Sequence, residues 1–147
     1  MRVRSEVSAN NKYWIDKHRY YELMHFCLQY QIWKKAYYSL DGYSKALDRE
    51  PVTGGDLGNP TVRCAEARYS FYKRMSMIEE AASETDVSLR DYILKGVTEG
   101  LSYDILKARY NIPCCKDVYY ELYRKFFWIQ LRKRVIFCVF LESKMSP

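Results

Sequence analysis

One short segment limits what this chain can fold into: Asn111-Ile112-Pro113, set between two stretches whose apolar residues recur at helical spacing. Asparagine tolerates the left-handed backbone that ends a helix, and proline lacks the N–H that would continue one. An isoleucine between them is placed to plug the gap where two rods meet. The flanking sequence, SLRDYILKGVTEGLSYDILKARYNIPCCKDVYYELYRKFFWIQLRKR (88–134), therefore reads as three helices with a tight corner between the second and third. Ser88 is the expected N-cap of the first, with Asp91 three residues on as its capping-box acid, and Gly100 is its expected end. Ser102 is expected to cap the next helix, about two turns long, which is too short to persist without packing.

Upstream, Asn10 or Asn11 is placed to cap a long helix over about Lys12 to Leu40, with Tyr13, Tyr20, Met24, Cys27, Ile32, Ala36 and Leu40 at three- and four-residue steps. A second stripe (Trp14, Tyr21, Leu28, Trp33, Tyr37) widens the apolar surface, so this helix needs cover on more than one side. The segment DREPVTGGDLGNP reads as a loop, because Gly54-Gly55 lacks the Gly-Lys-Ser/Thr of a phosphate cradle. Thr61 is expected to cap a helix over about Val62 to Ala82, with Arg63, Arg68, Lys73 and Arg74 along its polar surface. No segment shows the two-residue alternation of a strand. The expected fold class is all-α: long N-terminal aromatic helices followed by a three-helix helix-turn-helix unit. The expected organisation is an N-terminal helical segment (1–47), a linker (48–60), a connecting helix (61–87), the helix-turn-helix unit (88–134) and a tail (135–147).

Composition narrows the function classes. With 147 residues and 48% hydrophobic content, the chain can build one core and is not a disordered polymer. Its 15 tyrosines suit boundaries that are apolar on one side and wet on the other. From Leu101 onward nine Lys or Arg stand against four Asp or Glu, a balance of +5, whereas the first hundred residues balance at +1. Positive charge gathered on the helix-corner-helix segment points to a polyanionic partner. The polar opening MRVRSEVSANNK and an odd set of cysteines without metal spacing fit reduced thiols in a cytoplasm, that of a host cell if the gene is a phage's. The longest apolar run, Val135 to Leu141, is too short to span a bilayer, so no membrane role is expected.

A corner of this kind is what a helix-turn-helix uses to lay its second rod in a DNA major groove. On the third helix the expected core line is Val118, Leu122, Phe126 and Ile129, joined by Ile105, Leu106 and Ile112 from the preceding helix and corner. That leaves Lys116, Tyr119, Tyr120, Tyr123 and Arg124 facing outward as groove contacts, with Arg132, Lys133 and Arg134 on flanking phosphates. The residues Leu101-Ser102-Tyr103, Ile105-Leu106, Tyr110-Asn111-Ile112-Pro113, Val118-Tyr119 and Arg124-Lys125-Phe126-Phe127 resemble the helix-turn-helix of sigma-factor region 4. They also resemble that of the late-gene regulators of Gram-positive phages (the RinA/ArpU type). The resemblance covers about a third of the chain. It implies a phage or mobile-element transcriptional regulator that binds double-stranded DNA and works beside the host RNA polymerase. Cys114 stands where those regulators often open the third helix with serine, and Asp117 stands where an acid repels phosphate unless it reads a cytosine amine.

Other classes fit less of the sequence. No triad order and no carboxylate pair at a glycine-edged pocket suggests an enzyme, and no cofactor is expected. His18, Glu22 and His25 share a helix face but lack a fourth metal ligand and the His-Glu-x-x-His order, so no metal is expected. Cys114 and Cys115 precede a helix, whose dipole would favour a thiolate, although packing explains them more simply. The strongest rival is an inhibitor of a host defence nuclease, of anti-CRISPR type, followed by a packaging accessory protein. The aromatic N-terminal helices are assigned to oligomerisation or partner binding, where a homodimer would match paired half-sites in DNA.

Overall fold

The computed structural model describes the backbone of residues 11–47 and 60–145, and the side chains of residues 11–40 and 60–134. Among the described residues there are six helices and no strand: α1 Lys17–Leu28, α2 Tyr30–Leu47, α3 Pro60–Thr85, α4 Arg90–Glu99, α5 Tyr103–Tyr110 and α6 Lys116–Met145. The chain is all-α. The N-terminal tail with Asn10, and nearly all of the expected 48–60 loop, lie outside the described residues.

The single long helix expected over Lys12 to Leu40 is two helices. Its first cap is Asp16, whose Oδ1 accepts from the His18 amide at 2.9 Å. At Gln29 the amide turns back to the Phe26 carbonyl at 3.2 Å, one residue tighter than α-helical bonding, and the rod jogs there. The jog serves packing: α1 lies against α4 and α6, while α2 lies chiefly along α3. Leu23 and Cys27 on α1, then Tyr30 and Trp33 on α2, stay on one buried line across the break.

Pro60 occupies the first position of α3, where its missing N–H costs nothing. Met75, Ile78, Ala81 and Ala82 form the buried side of this helix, which contacts α2, α4 and α6. The turn into α4 is organised by Asp86, not by the expected Ser88 cap. Asp86 Oδ1 accepts from the Ser88 amide (2.8 Å), the Ser88 hydroxyl (2.6 Å) and the Leu89 amide (3.0 Å). The Ser88 hydroxyl bond, with the two amides, holds the Asp86 carboxyl below its ordinary pKa. Gly100 ends α4 in the left-handed conformation at φ 69°, with the Leu101 amide bonded back to the Gly96 carbonyl at 3.2 Å.

One core joins all six helices. Its centre is α6, a 30-residue rod that presents Tyr119, Tyr123, Phe126, Phe127 and Gln130 inward. Tyr119 lies across Gly96 of α4, its hydroxyl occupying the place a Cβ at position 96 would take. That hydroxyl is buried and has no hydrogen-bond partner.

Two substitutions test this close approach. Gly96→Ala should destabilise the fold by roughly 1–3 kcal/mol, since the tyrosine must move. Tyr119→Phe removes an unpartnered hydroxyl and should cost little or stabilise. Combining them should restore most of the loss, because the next nearest atoms stand at ordinary contact distances of 3.4 and 3.5 Å. Additive losses in a denaturant double-mutant cycle would refute the contact.

Candidate nucleic-acid interface at the α5–α6 corner

α5 opens on Ser102, whose hydroxyl accepts from the Ile105 amide at 3.4 Å, and closes on Asn111 at φ 50°, ψ 51°. The Asn111 amide returns to the Lys107 carbonyl at 3.2 Å. Ile112 is fully buried beneath the turn. Two side chains of α5 then hold the corner from outside: Lys107 Nζ donates to the Ile112 carbonyl at 3.2 Å and the Tyr103 hydroxyl donates to the Cys114 carbonyl at 2.7 Å. Backbone carbonyls that a turn leaves without helical partners are thus bonded. α6 starts at Lys116, which reaches Asp104 on α5 at 3.7 Å.

The side of α6 that faces solvent is rotated by about one residue from the expected one. Tyr119 and Tyr123, expected to face outward, are 1% and 7% exposed, whereas Val118, expected in the core, is 44% exposed. Ile105 is likewise at the surface rather than in the motif core, and Leu122 is half-buried; Leu106, Ile112 and Phe126 are fully buried. The reason lies on α1. The Tyr20 and Tyr123 hydroxyls pair at 3.0 Å, and the Tyr20 ring stands edge-on to Phe127 at 5.1 Å. Two phenols and a phenyl group bury more area than the valine–leucine line beside them, and their polar tips pair. What remains open on the first turns of α6 is Lys116, Asp117, Val118 and Glu121, with Tyr120 and Arg124 half-exposed.

The positive charge is also redistributed. Lys133 binds Glu84 at 2.7 Å and Glu80 at 3.4 Å, both on α3, and the hydrogen bond to Glu84 pushes its ammonium pKa up. Arg134 binds Glu22 of α1 at 2.9 Å and lies over the Phe26 ring. Lys125 donates to the Thr85 carbonyl at 3.1 Å. Of the residues expected to hold phosphates, Lys133 and Arg134 clasp α6 to α3 and α1, and Arg132 is exposed, stacked on Trp128 at 4.7 Å. Arg109 and Arg124 have neither ion pair nor hydrogen bond to a side chain among the described residues.

Among the described residues no group of three or more His, Cys, Asp or Glu stands together as a metal site, and Glu22 is engaged by Arg134. Cys114 lies ahead of α6 rather than in its first turn, and burial pushes its thiol pKa up instead of down. Cys27 is fully buried and pushed up by the same cause. Among the described residues no helix is long and apolar enough to cross a membrane.

Along α3 the spacing puts Ala65, Tyr69, Tyr72, Met75 and Ile78 on one side, but only Met75 and Ile78 of these are buried; the two tyrosines are at the surface, where α3 meets α2. Tyr38, Tyr69 and Tyr72 are 62%, 60% and 52% exposed there, and Arg68 covers the Tyr37 ring at 4.3 Å. The signal was present in the alternation of Arg68-Tyr69 with Tyr72-Lys73, a pair of tyrosines one helical turn apart with cations beside them.

Comparison of the chain with protein families, curated proteins and solved structures finds no match in any of the three.

The buried phenols give a pH prediction. Burial raises the pKa of Tyr20, Tyr119 and Tyr123; Tyr30 is raised by burial and by its hydrogen bond to Glu79. These groups stay neutral in the folded chain while the unfolded chain ionises from about pH 10. Their stabilisation is therefore complete below pH ~10 and declines above it, by about 1.4 kcal/mol per pH unit for each of Tyr119 and Tyr123. Tyrosinate absorbance should rise in two stages, the second coinciding with loss of helical circular dichroism. Tyr119→Phe should move that second stage to higher pH; an unmoved midpoint would show that Tyr119 is not sealed.

Proposed function

We propose that the protein is a non-enzymatic, duplex-DNA-binding regulator that presents the first turns of α6 to the major groove. The observation that carries this reading is the α5–α6 corner, with Asn111 left-handed, Ile112 as its plug and the N-terminus of α6 open to solvent beyond Lys116. The resemblance of Leu101 to Leu131 to the helix-turn-helix of sigma region 4 and of phage late-gene regulators supports the same reading. The contacts are fewer than the sequence suggests. Lys116 and Tyr120 serve the base edges, and Arg109, Arg124 and Arg132 serve the strands. Tyr119, Tyr123, Lys133 and Arg134 are engaged inside the molecule.

Asp117 and Glu121 share the open face with these cations. Carboxylates repel phosphate but accept from the exocyclic amine of cytosine in the major groove. The helix must therefore lie with Asp117 and Glu121 over base edges and its arginines toward the strands. This makes binding selective for sequence more than tight. With about three phosphate contacts, log affinity falls against log salt with a slope near −3 for duplex DNA.

Lys116→Ala combined with Arg124→Ala should weaken binding to a selected duplex by about tenfold or more and flatten the salt slope by roughly 1. Both side chains are at the surface, so the melting temperature should hold. Equal affinity of the double variant and the parent, measured by anisotropy on duplexes recovered by in vitro selection, would reject the assignment.

A further inference from the structure

We propose that Cys114 and Cys115 are a reversible redox switch for the α5–α6 corner, in which oxidation closes a disulfide between the two adjacent residues and unfastens the start of α6. Both thiols are free, Cys115 exposed and Cys114 half-buried. Of the other described cysteines, Cys27 is sealed in the core and Cys64 lies between α2 and α3. The two adjacent sulfurs gather about one side chain. Loss of solvent raises the pKa of the Tyr103 phenol, and the Cys114 and Cys115 sulfurs beside it push it the same way. The Tyr103 hydroxyl in turn donates to the Cys114 carbonyl at 2.7 Å. The Cys115 carbonyl accepts from the Tyr119 amide at 3.0 Å, the bond that opens the α6 ladder. The pair thus sits across the peptide that ties the corner to the helix behind it.

A bridge between neighbouring cysteines acts through strain. Their Cα atoms stand about 3.8 Å apart across a trans peptide, short of the roughly 4.4–6.8 Å that a relaxed disulfide spans. Closing the small ring therefore twists the peptide between them. That twist carries the Cys114 carbonyl away from Tyr103 and turns the Cys115 carbonyl off the helix axis. The oxidant is a peroxide. The exposed Cys115 sulfur attacks one peroxide oxygen, the O–O bond breaks, and a sulfenic acid and water form. The Cys114 sulfur then displaces the hydroxyl: the S–O bond breaks, the S–S bond forms, and a second water leaves with the Cys114 proton. The two thiols have lost two electrons and two protons, and one hydrogen peroxide has become two waters. A strained bridge is readily reduced, so a thiol reductant restores the pair. The effect on binding rests on the reading of the corner as a duplex-binding site; closure of the ring and loosening of α6 do not.

The test treats the full chain with hydrogen peroxide and follows three readouts. Trypsin releases the peptide from Tyr110 to Lys116, which holds both cysteines and no other. Its mass should fall by two hydrogens on oxidation and return with dithiothreitol. Hydrogen exchange at the Tyr119 amide should quicken by about tenfold or more while the ring is closed. Affinity for a selected duplex should drop by about tenfold or more and recover on reduction, since the competent pose of α6 is then depopulated. Cys115→Ser should bind duplex as the parent does and lose all response to peroxide. A peptide that gains oxygen, keeps its mass or joins a second chain overturns the proposal, as does unchanged exchange at Tyr119 once the ring is closed. If the reduced chain binds no duplex, the duplex-binding reading falls, while mass and exchange still decide the switch. If reduced and oxidised chains bind duplex equally, the switch falls and that reading stands.

Discussion

The hydroxyl–hydroxyl contact between Tyr20 and Tyr123, with the rings that surround it, fixes the rest of the molecule. It joins α1 to α6 across 103 positions of sequence at 3.0 Å. Tyr119 and Tyr123 lie with ring centroids 6.1 Å apart, and Phe127 is edge-on to Tyr123 at 4.8 Å, so α6 carries a continuous aromatic seam. Burying such rings contributes about 1.5–3 kcal/mol each, and the edge-to-face geometry adds to it. Once the seam is inward, the rotation of α6 is set. Which side chains remain for a partner follows from that rotation.

The same constraint redefines the charge of the molecule. Viewed along the sequence, cations accumulate toward the C-terminal third. In the folded chain Lys125, Lys133 and Arg134 turn back onto α3 and α1, where a carbonyl and three carboxylates meet them. Surface ion pairs of this kind contribute modestly to stability, on the order of 1 kcal/mol or less each. Their larger effect is to remove cations from the field a polyanion would meet. Positive charge on display at the corner is consequently smaller than the balance along the sequence suggests.

How much of this was legible in the sequence divides by range. Local signals marked the helix ends near the corner: Gly100, Ser102 and Asn111 each occupy the backbone state their chemistry favours. The all-α class followed from spacing alone. The phase of α6 did not, because two lines run side by side on it. Val118-Leu122-Ile129 and Tyr119-Tyr123-Phe127 both repeat at helical steps, and Tyr20 on α1 with Gly96 on α4, both remote in sequence, choose between them. The jog at Gln29 and the ion pairs of Lys133 and Arg134 are likewise decided by neighbours remote in sequence. Asp86 was a nearer miss: two acids flank Ser88, and the one upstream reaches the free amides.

The length of α6 has a mechanical consequence. At 1.5 Å per residue its 30 residues make a strut of about 45 Å. Its near end forms one jamb of the corner, and its middle is wedged between α1 and α3. The α6 half of the corner is therefore held by packing far from the turn itself, so a partner docking there would cost that rod little conformational entropy.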